Sequence, residues 1–298
     1  MKKILVLCGI TVFVLAFFST SHAGLPFNNV EGVGGVTFNP LAYTAGSSFD
    51  KDKSDTEFSY KDVLSKPQFG GWYVNLGGGP GAKLTTMGFA ETLFKRLELS
   101  YGYESLATDL GKVGVNPNVQ NNYGAKLLLL EENFKGLNFL PAISVGTIYK
   151  QTSRVVLTSV ANNNSSWDYY VVGTKLITQL PMPVLLSAGG LSTQGLATGL
   201  LGYDHDRATI FFGNFDILPI KQVAVGFEYK QGASYSDTGL KNANIWSIHA
   251  AWFATKNLTL IAAYANAGKT TTVLPAVTGQ GGTLGLGDGF TVSAQYQF

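Results

Sequence analysis

The feature that most constrains this chain is an alternation of side-chain character with period two. At the C-terminal end Phe290, Val292, Ala294, Tyr296 and Phe298 alternate with Thr291, Ser293, Gln295 and Gln297. Successive side chains of a strand point to opposite faces, so the apolar groups collect on one side and the polar ones on the other. Residues 223–230 repeat the pattern, with Val223, Val225, Phe227 and Tyr229 set against Ala224, Gly226, Glu228 and Lys230. Residues 97–104 do so again, with Leu97, Leu99, Tyr101 and Tyr103 against Glu98, Ser100, Gly102 and Glu104. A helix would scatter these charges around its circumference. Less regular stretches of the same kind lie near 71–78, 82–94, 121–131, 138–150, 167–179, 183–192, 207–217, 244–255 and 257–267, which makes twelve expected strands.

The first residues read as an export signal. Lys2 and Lys3 precede an apolar run from Ile4 to Phe18, and Ser21-His22-Ala23 supplies the small residues of a cleavage site after Ala23. That run is shorter than the ~20 residues needed to span hydrocarbon. Cys8 has bulky Leu7 before it, where a lipoprotein signal needs a small residue. Removing residues 1–23 takes away two lysines and no acid, leaving nineteen basic and nineteen acidic residues and no cysteine. No disulfide framework or thiolate metal site is then available, and a neutral balance gives no reason to expect nucleic acid as a partner.

Charged residues are 13% of the chain, against roughly 25% in soluble domains. Beyond the signal no run approaches the ~18 apolar residues of a membrane helix. A sheet with one low-charge apolar face and no helical span satisfies its backbone in lipid only by closing into a barrel. The competing fold, a secreted β-sandwich, would normally carry more surface charge. The connections agree with a barrel. Short turns are expected at Lys95-Arg96, Asn133-Phe134-Lys135-Gly136, Leu180-Pro181-Met182, Pro219-Ile220-Lys221 and Lys256-Asn257, alternating with longer loops near 105–120, 151–166, 193–206, 231–243 and 268–288. Short turns on one side, long loops on the other and an even strand number are the pattern of outer-membrane barrels. Trp72, Tyr73, Tyr101, Tyr103, Tyr149, Trp167, Tyr169, Tyr170, Tyr229, Trp252 and Tyr264 are candidates for the aromatic girdles.

An export signal, about twelve alternating strands and a terminal aromatic together resemble Gram-negative outer-membrane barrels of the porin-like superfamily. Tyr296 and Phe298 match the final-strand signal read by the barrel-assembly machinery in that superfamily; Ser293 stands where the signal prefers glycine. The opening Gly24-Leu25-Pro26-Phe27-Asn28-Asn29-Val30-Glu31-Gly32 also resembles a proteobacterial outer-membrane family of uncharacterised function. These resemblances imply an outer-membrane location, lipid and the assembly machinery as partners, and passive passage of a small solute through an all-β barrel at 70–298. A non-transporting structural or envelope-assembly barrel stands as the alternative. Asn39-Pro40-Leu41-Ala42 is similar to the Asn-Pro-Ala element in the hatch of long-chain fatty-acid transporters, which adds a third reading, a hatch-closed path for apolar substrates. Residues 24–69 are accordingly expected to be a plug entering the barrel, an irregular extra strand or a periplasmic tail.

No catalytic, cofactor or metal site is expected. Asp50, Asp52 and Ser54 open like a calcium loop, but Asp55 stands where glycine is required and Lys61 where glutamate is. Gly77-Gly78-Gly79-Pro80-Gly81-Ala82-Lys83 lacks the Gly-Lys-Ser/Thr of a phosphate loop and reads as a hairpin connection. Asp204-His205-Asp206 reads as a solvated loop. A lipid-hydrolysing Ser–His pair must face the membrane, and the strand phase turns His249 inward. By phase the lumen-lining candidates are Lys83, Glu91, Glu98, Glu104, Lys126, Lys150, Lys175, Asp216, Glu228, Lys230 and His249. Apart from His249 their signs balance, which argues against strong anion or cation preference.

Overall fold

A computed structural model of the chain describes residues 25–46, 63–77, 82–107, 117–155, 161, 163–268 and 282–298. The export signal, most of the charged stretch at 50–65 and the tips of the longer loops lie outside these residues. Two short strands, β1 (Phe27–Asn28) and β2 (Gly34–Gly35), form a small hairpin ahead of the wall. The wall begins with β3 (Gln68–Leu76), β4 (Ala82–Leu93), β5 (Leu97–Ala107) and β6 (Asn118–Leu130). It continues with β7 (Ala142–Thr152), β8 (Ser165–Ile177), β9 (Val184–Gly195), β10 (Tyr203–Ile220) and β11 (Val223–Lys230). After a short β12 (Leu240–Asn242) come β13 (Ile245–Phe253) and β14 (Leu258–Asn266), then a short β15 (Gly282–Leu284) and finally β16 (Asp288–Gln297).

Twelve of these strands close into one antiparallel barrel, each beside its neighbour in sequence. The ring is sealed by β16 against β3, in register from Phe290 opposite Asn75 to Gln297 opposite Gln68. This is the closed antiparallel barrel expected from the alternation. On β16, Thr291, Ser293 and Gln295 are buried inside, while Phe290, Val292, Tyr296 and Phe298 are exposed outside. The outer face is a belt of apolar and aromatic groups. Tyr101, Tyr123, Tyr149 and Trp167 lie directly opposite one another on four successive strands, with ring centroids 5.4, 6.3 and 5.0 Å apart. Two of the girdle candidates are placed differently. Trp72 and Tyr170 sit on the inward phase of β3 and β8 and are buried.

Two connections also depart from expectation. The loop expected at 193–206 is confined to 196–202: β9 runs to Gly195 and β10 starts at Tyr203. Thr193 and Gly195 resemble loop residues, yet they continue β9. Pro219 and Ile220 belong to β10, where a register shift between Ile217 and Ile220 spares the proline a ladder position. The turn at Lys95 is tight, and Phe94 and Lys95 both take positive φ (51° and 58°). On the long-loop side β12 and β15 pair in parallel with each other rather than with the wall.

Candidate functional site: the filled lumen

The inward phase of the wall mixes buried polar and charged groups with apolar ones such as Trp72, Val74, Ile148, Val172 and Phe212, and it meets residues 25–45, which are almost wholly shielded from solvent. Asn29 shapes this segment. Its side-chain oxygen accepts from the Glu31 and Val33 amides, each at 3.0 Å, and so closes the β1–β2 turn. Gly32 there has φ of +85°, and a Cβ at this position would lie 2.6 Å from the Gly102 Cα of the wall. A Cβ at Gly102 would in turn lie 2.2 Å from the Glu31 carbonyl oxygen. Backbone therefore lies on backbone, which only glycine permits.

Wall side chains hold the segment along its length. Glu228 on β11 accepts from three consecutive amides: Thr37 at 3.0 Å, Phe38 at 3.3 Å and Asn39 at 3.3 Å. Glu98 on β5 accepts from the Gly34 amide at 2.9 Å and the Ala45 amide at 2.7 Å. Lys126 pairs with Glu98 at 2.9 Å while donating to the Gly34 carbonyl, also at 2.9 Å. Near β3 and β16, Trp72 and Gln295 both donate to the Asn28 carbonyl, at 2.7 and 3.0 Å. Opposite them, Thr174 accepts from the Ala42 amide at 2.8 Å and Ser144 donates to the Ala42 carbonyl at 2.5 Å. Asn39 of the Asn-Pro-Leu-Ala element donates to Asn214 at 3.0 Å and to the Tyr229 carbonyl at 3.1 Å.

Glu31 is the segment's own buried charge. Lys150 lies 2.6 Å from it and Lys230 3.8 Å, and Lys150 also meets Asp168 at 2.9 Å. Burial pushes the Glu31 carboxyl up, but the two lysines outweigh that and hold it below the usual glutamate value. This cluster floors a chamber of about 40 Å³ on the long-loop side, room for roughly three waters. Leu191, Ile210, Ile245 and Leu284 supply its apolar walls. The turn 196–199 roofs it, and Ala197 and Thr198 there have left-handed backbones.

Eight of the sequence candidates point inward and are buried: Glu98, Glu104, Lys126, Lys150, Asp216, Glu228, Lys230 and His249. His249 meets Asp216 at 2.6 Å, and Glu104 accepts from Gln120 at 3.2 Å and Asn122 at 2.5 Å. Three candidates are elsewhere. Lys83 and Glu91 fall on the outward phase of β4, near its two ends. Lys175 is out of phase with inward Thr174 and pairs at the short-turn rim with Glu132 at 3.0 Å. Their phase was misread because charge on a strand was equated with the lumen. Of Asp204-His205-Asp206, Asp204 is buried in β10 and accepts from Thr238 at 2.6 Å, while Asp206 binds Ser236 at 2.6 Å. The two aspartates therefore tether the 231–239 connection.

A family model described as a protein of unknown function, DUF3034, matches residues 26–280. The chain belongs to the DUF3034 family. The match takes in the luminal segment of this DUF3034 barrel as well as most of its wall. No curated protein sequence matches the chain. Among solved structures, the chain is similar to the Acinetobacter baumannii outer membrane protein Omp33, 10% identical, over 80% of this chain and 100% of that one, with a TM-score of 0.43. It is similar to a NanC porin, 11% identical, over 78% and 99% of the two chains, with a TM-score of 0.44. The COG4313 outer membrane channel from Pseudomonas putida F1 is 11% identical over 83% and 98%, with a TM-score of 0.47.

Sequence reasoning missed Glu31 and Asp168. Asp168 was within reach, since Trp167 and Tyr169 flank it and set its phase inward. Glu31 lies outside any alternating strand, so no periodicity could have placed it.

Proposed function

We propose that this DUF3034 barrel resides in the outer membrane of a Gram-negative bacterium and is a gated channel for small solutes, with residues 25–46 as the gate. One observation carries the reading. Beside its apolar packing, the segment is held by buried wall charges, Glu98, Glu228, Lys126 and Lys150, through hydrogen bonds and ion pairs, and contacts of that kind exchange for water when a segment withdraws. The polar groups of the inward phase left behind would line an aqueous path. A non-transporting envelope barrel is the second reading, favoured by how completely the described segment fills the lumen.

Single-channel recording in planar bilayers separates the two. The wild-type protein is expected to stay closed with brief openings. Glu98→Ala/Glu228→Ala should give long-lived conducting steps of uniform size. A double variant that assembles as a barrel but passes no current would leave the envelope reading standing and sink the channel.

A further inference from the structure

The outer wall between β5 and β10 carries an open groove of about 660 Å³, lined by Leu127, Val145, Tyr169, Val171, Gly190 and Thr209. Its depth comes from small side chains on β9 and β10. Gly190 faces outward, and a Cβ there would find its nearest neighbour, the Ile210 carbonyl oxygen, at an ordinary 3.9 Å. At the long-loop end Arg207 stands directly above the groove. Its guanidinium lies 5.3 Å from the Tyr169 ring centroid and donates to the Trp167 carbonyl at 2.7 Å, the Ser192 carbonyl at 3.1 Å and Gln194 at 2.9 Å. The side chain is thus fixed in place by neutral acceptors. Among the described residues no carboxylate pairs with it, so an exposed positive charge is left on the lipid-facing wall. A cation so placed attracts an anionic headgroup.

We propose that this groove is a binding site for a phosphate-bearing, acylated lipid of the outer leaflet, with the phosphate on Arg207 and an acyl chain along Val145, Val171 and Gly190. The assignment rests on the outer-membrane reading above. That reading is tested separately by fractionation, and by whether the unboiled protein migrates differently from the boiled one.

The probe is lipid A, titrated onto the detergent-purified full-length barrel and read by native mass spectrometry beside lipid A stripped of its phosphates. Wild-type protein should bind lipid A about fivefold more tightly than the dephosphorylated form, the worth of one basic residue at a membrane surface. Arg207→Gln should erase that difference. Gly190→Leu, which fills the groove, should weaken both lipids. Equal binding of the two lipids by the wild-type protein overturns the proposal without any variant having to fold. A stable dimer that covers Tyr169 and excludes lipid also overturns it, by showing a second copy to be the occupant.

Discussion

Glu228 gathers five donors on one carboxylate: the amides of Thr37, Phe38 and Asn39, the Asn214 side chain at 3.0 Å and the Ser247 hydroxyl at 3.3 Å. Removing it strands three backbone amides in a closed interior, and an unsatisfied buried donor costs about 1–3 kcal/mol. Glu228→Ala should therefore lower the temperature at which the folded band disappears from an unboiled gel. An unchanged transition would mean that the amides find other partners. Glu31 predicts the response to acid. Its folded value lies below the ordinary 4.5, so the unfolded chain binds its proton first as pH falls. The stabilisation it provides is then complete above 4.5 and drains as pH drops through the lower folded value. The groups facing it are Lys150 and Lys230, with Asp168 and Glu104 beyond. Thermal stability should consequently fall below pH 4.5 in the wild-type barrel, and Glu31→Gln should flatten that acid limb while lowering stability at neutral pH. A variant with the wild-type acid limb would assign the effect to another carboxylate.

At the scale of elements, β11 offers both faces for test in adjacent positions. Phe227 is exposed on the outer face while Glu228 is buried inside. Arginine near the bilayer midplane of a barrel costs roughly 2–4 kcal/mol, so Phe227→Arg should reduce assembly, measured as heat-modifiable protein in the outer membrane. Undiminished assembly would place that position away from hydrocarbon. All twelve wall strands were legible in the sequence, because a wall with lipid outside and polar groups inside must alternate, and turns must interrupt it. What failed were the edges of that rule. Lys83, Glu91 and Lys175 sit near strand ends, where in a membrane an outward charge would reach headgroups or a rim partner and alternation no longer reports the face. The luminal segment resisted for a different reason. Its conformation is imposed by single contacts from many strands, such as Thr174 and Ser144 on Ala42, and nothing in its own residue order encodes them.

For the whole molecule, the gate proposed above requires the wall to keep its fold when the segment within it is displaced. Gly102 illustrates this: a valine there would drive its side chain into the Glu31 carbonyl without disturbing the outward face of β5. Gly102→Val should keep the barrel heat-modifiable yet open the proposed channel to conduction. Loss of the barrel itself would show the segment to be part of the folding core. The central claim, that residues 25–46 seal the lumen and are held there by wall carboxylates, is tested most directly by thiol accessibility at Ala42. This residue is fully buried, and the chain's only cysteine, Cys8, lies in the stretch expected to be an export signal. With Ala42→Cys in the otherwise wild-type folded barrel, a water-soluble maleimide should react slowly. Adding Glu98→Ala/Glu228→Ala should accelerate labelling at least about tenfold, since each 1.4 kcal/mol of lost hold raises the open population that much. Rapid labelling of Ala42→Cys with both glutamates intact would contradict the account.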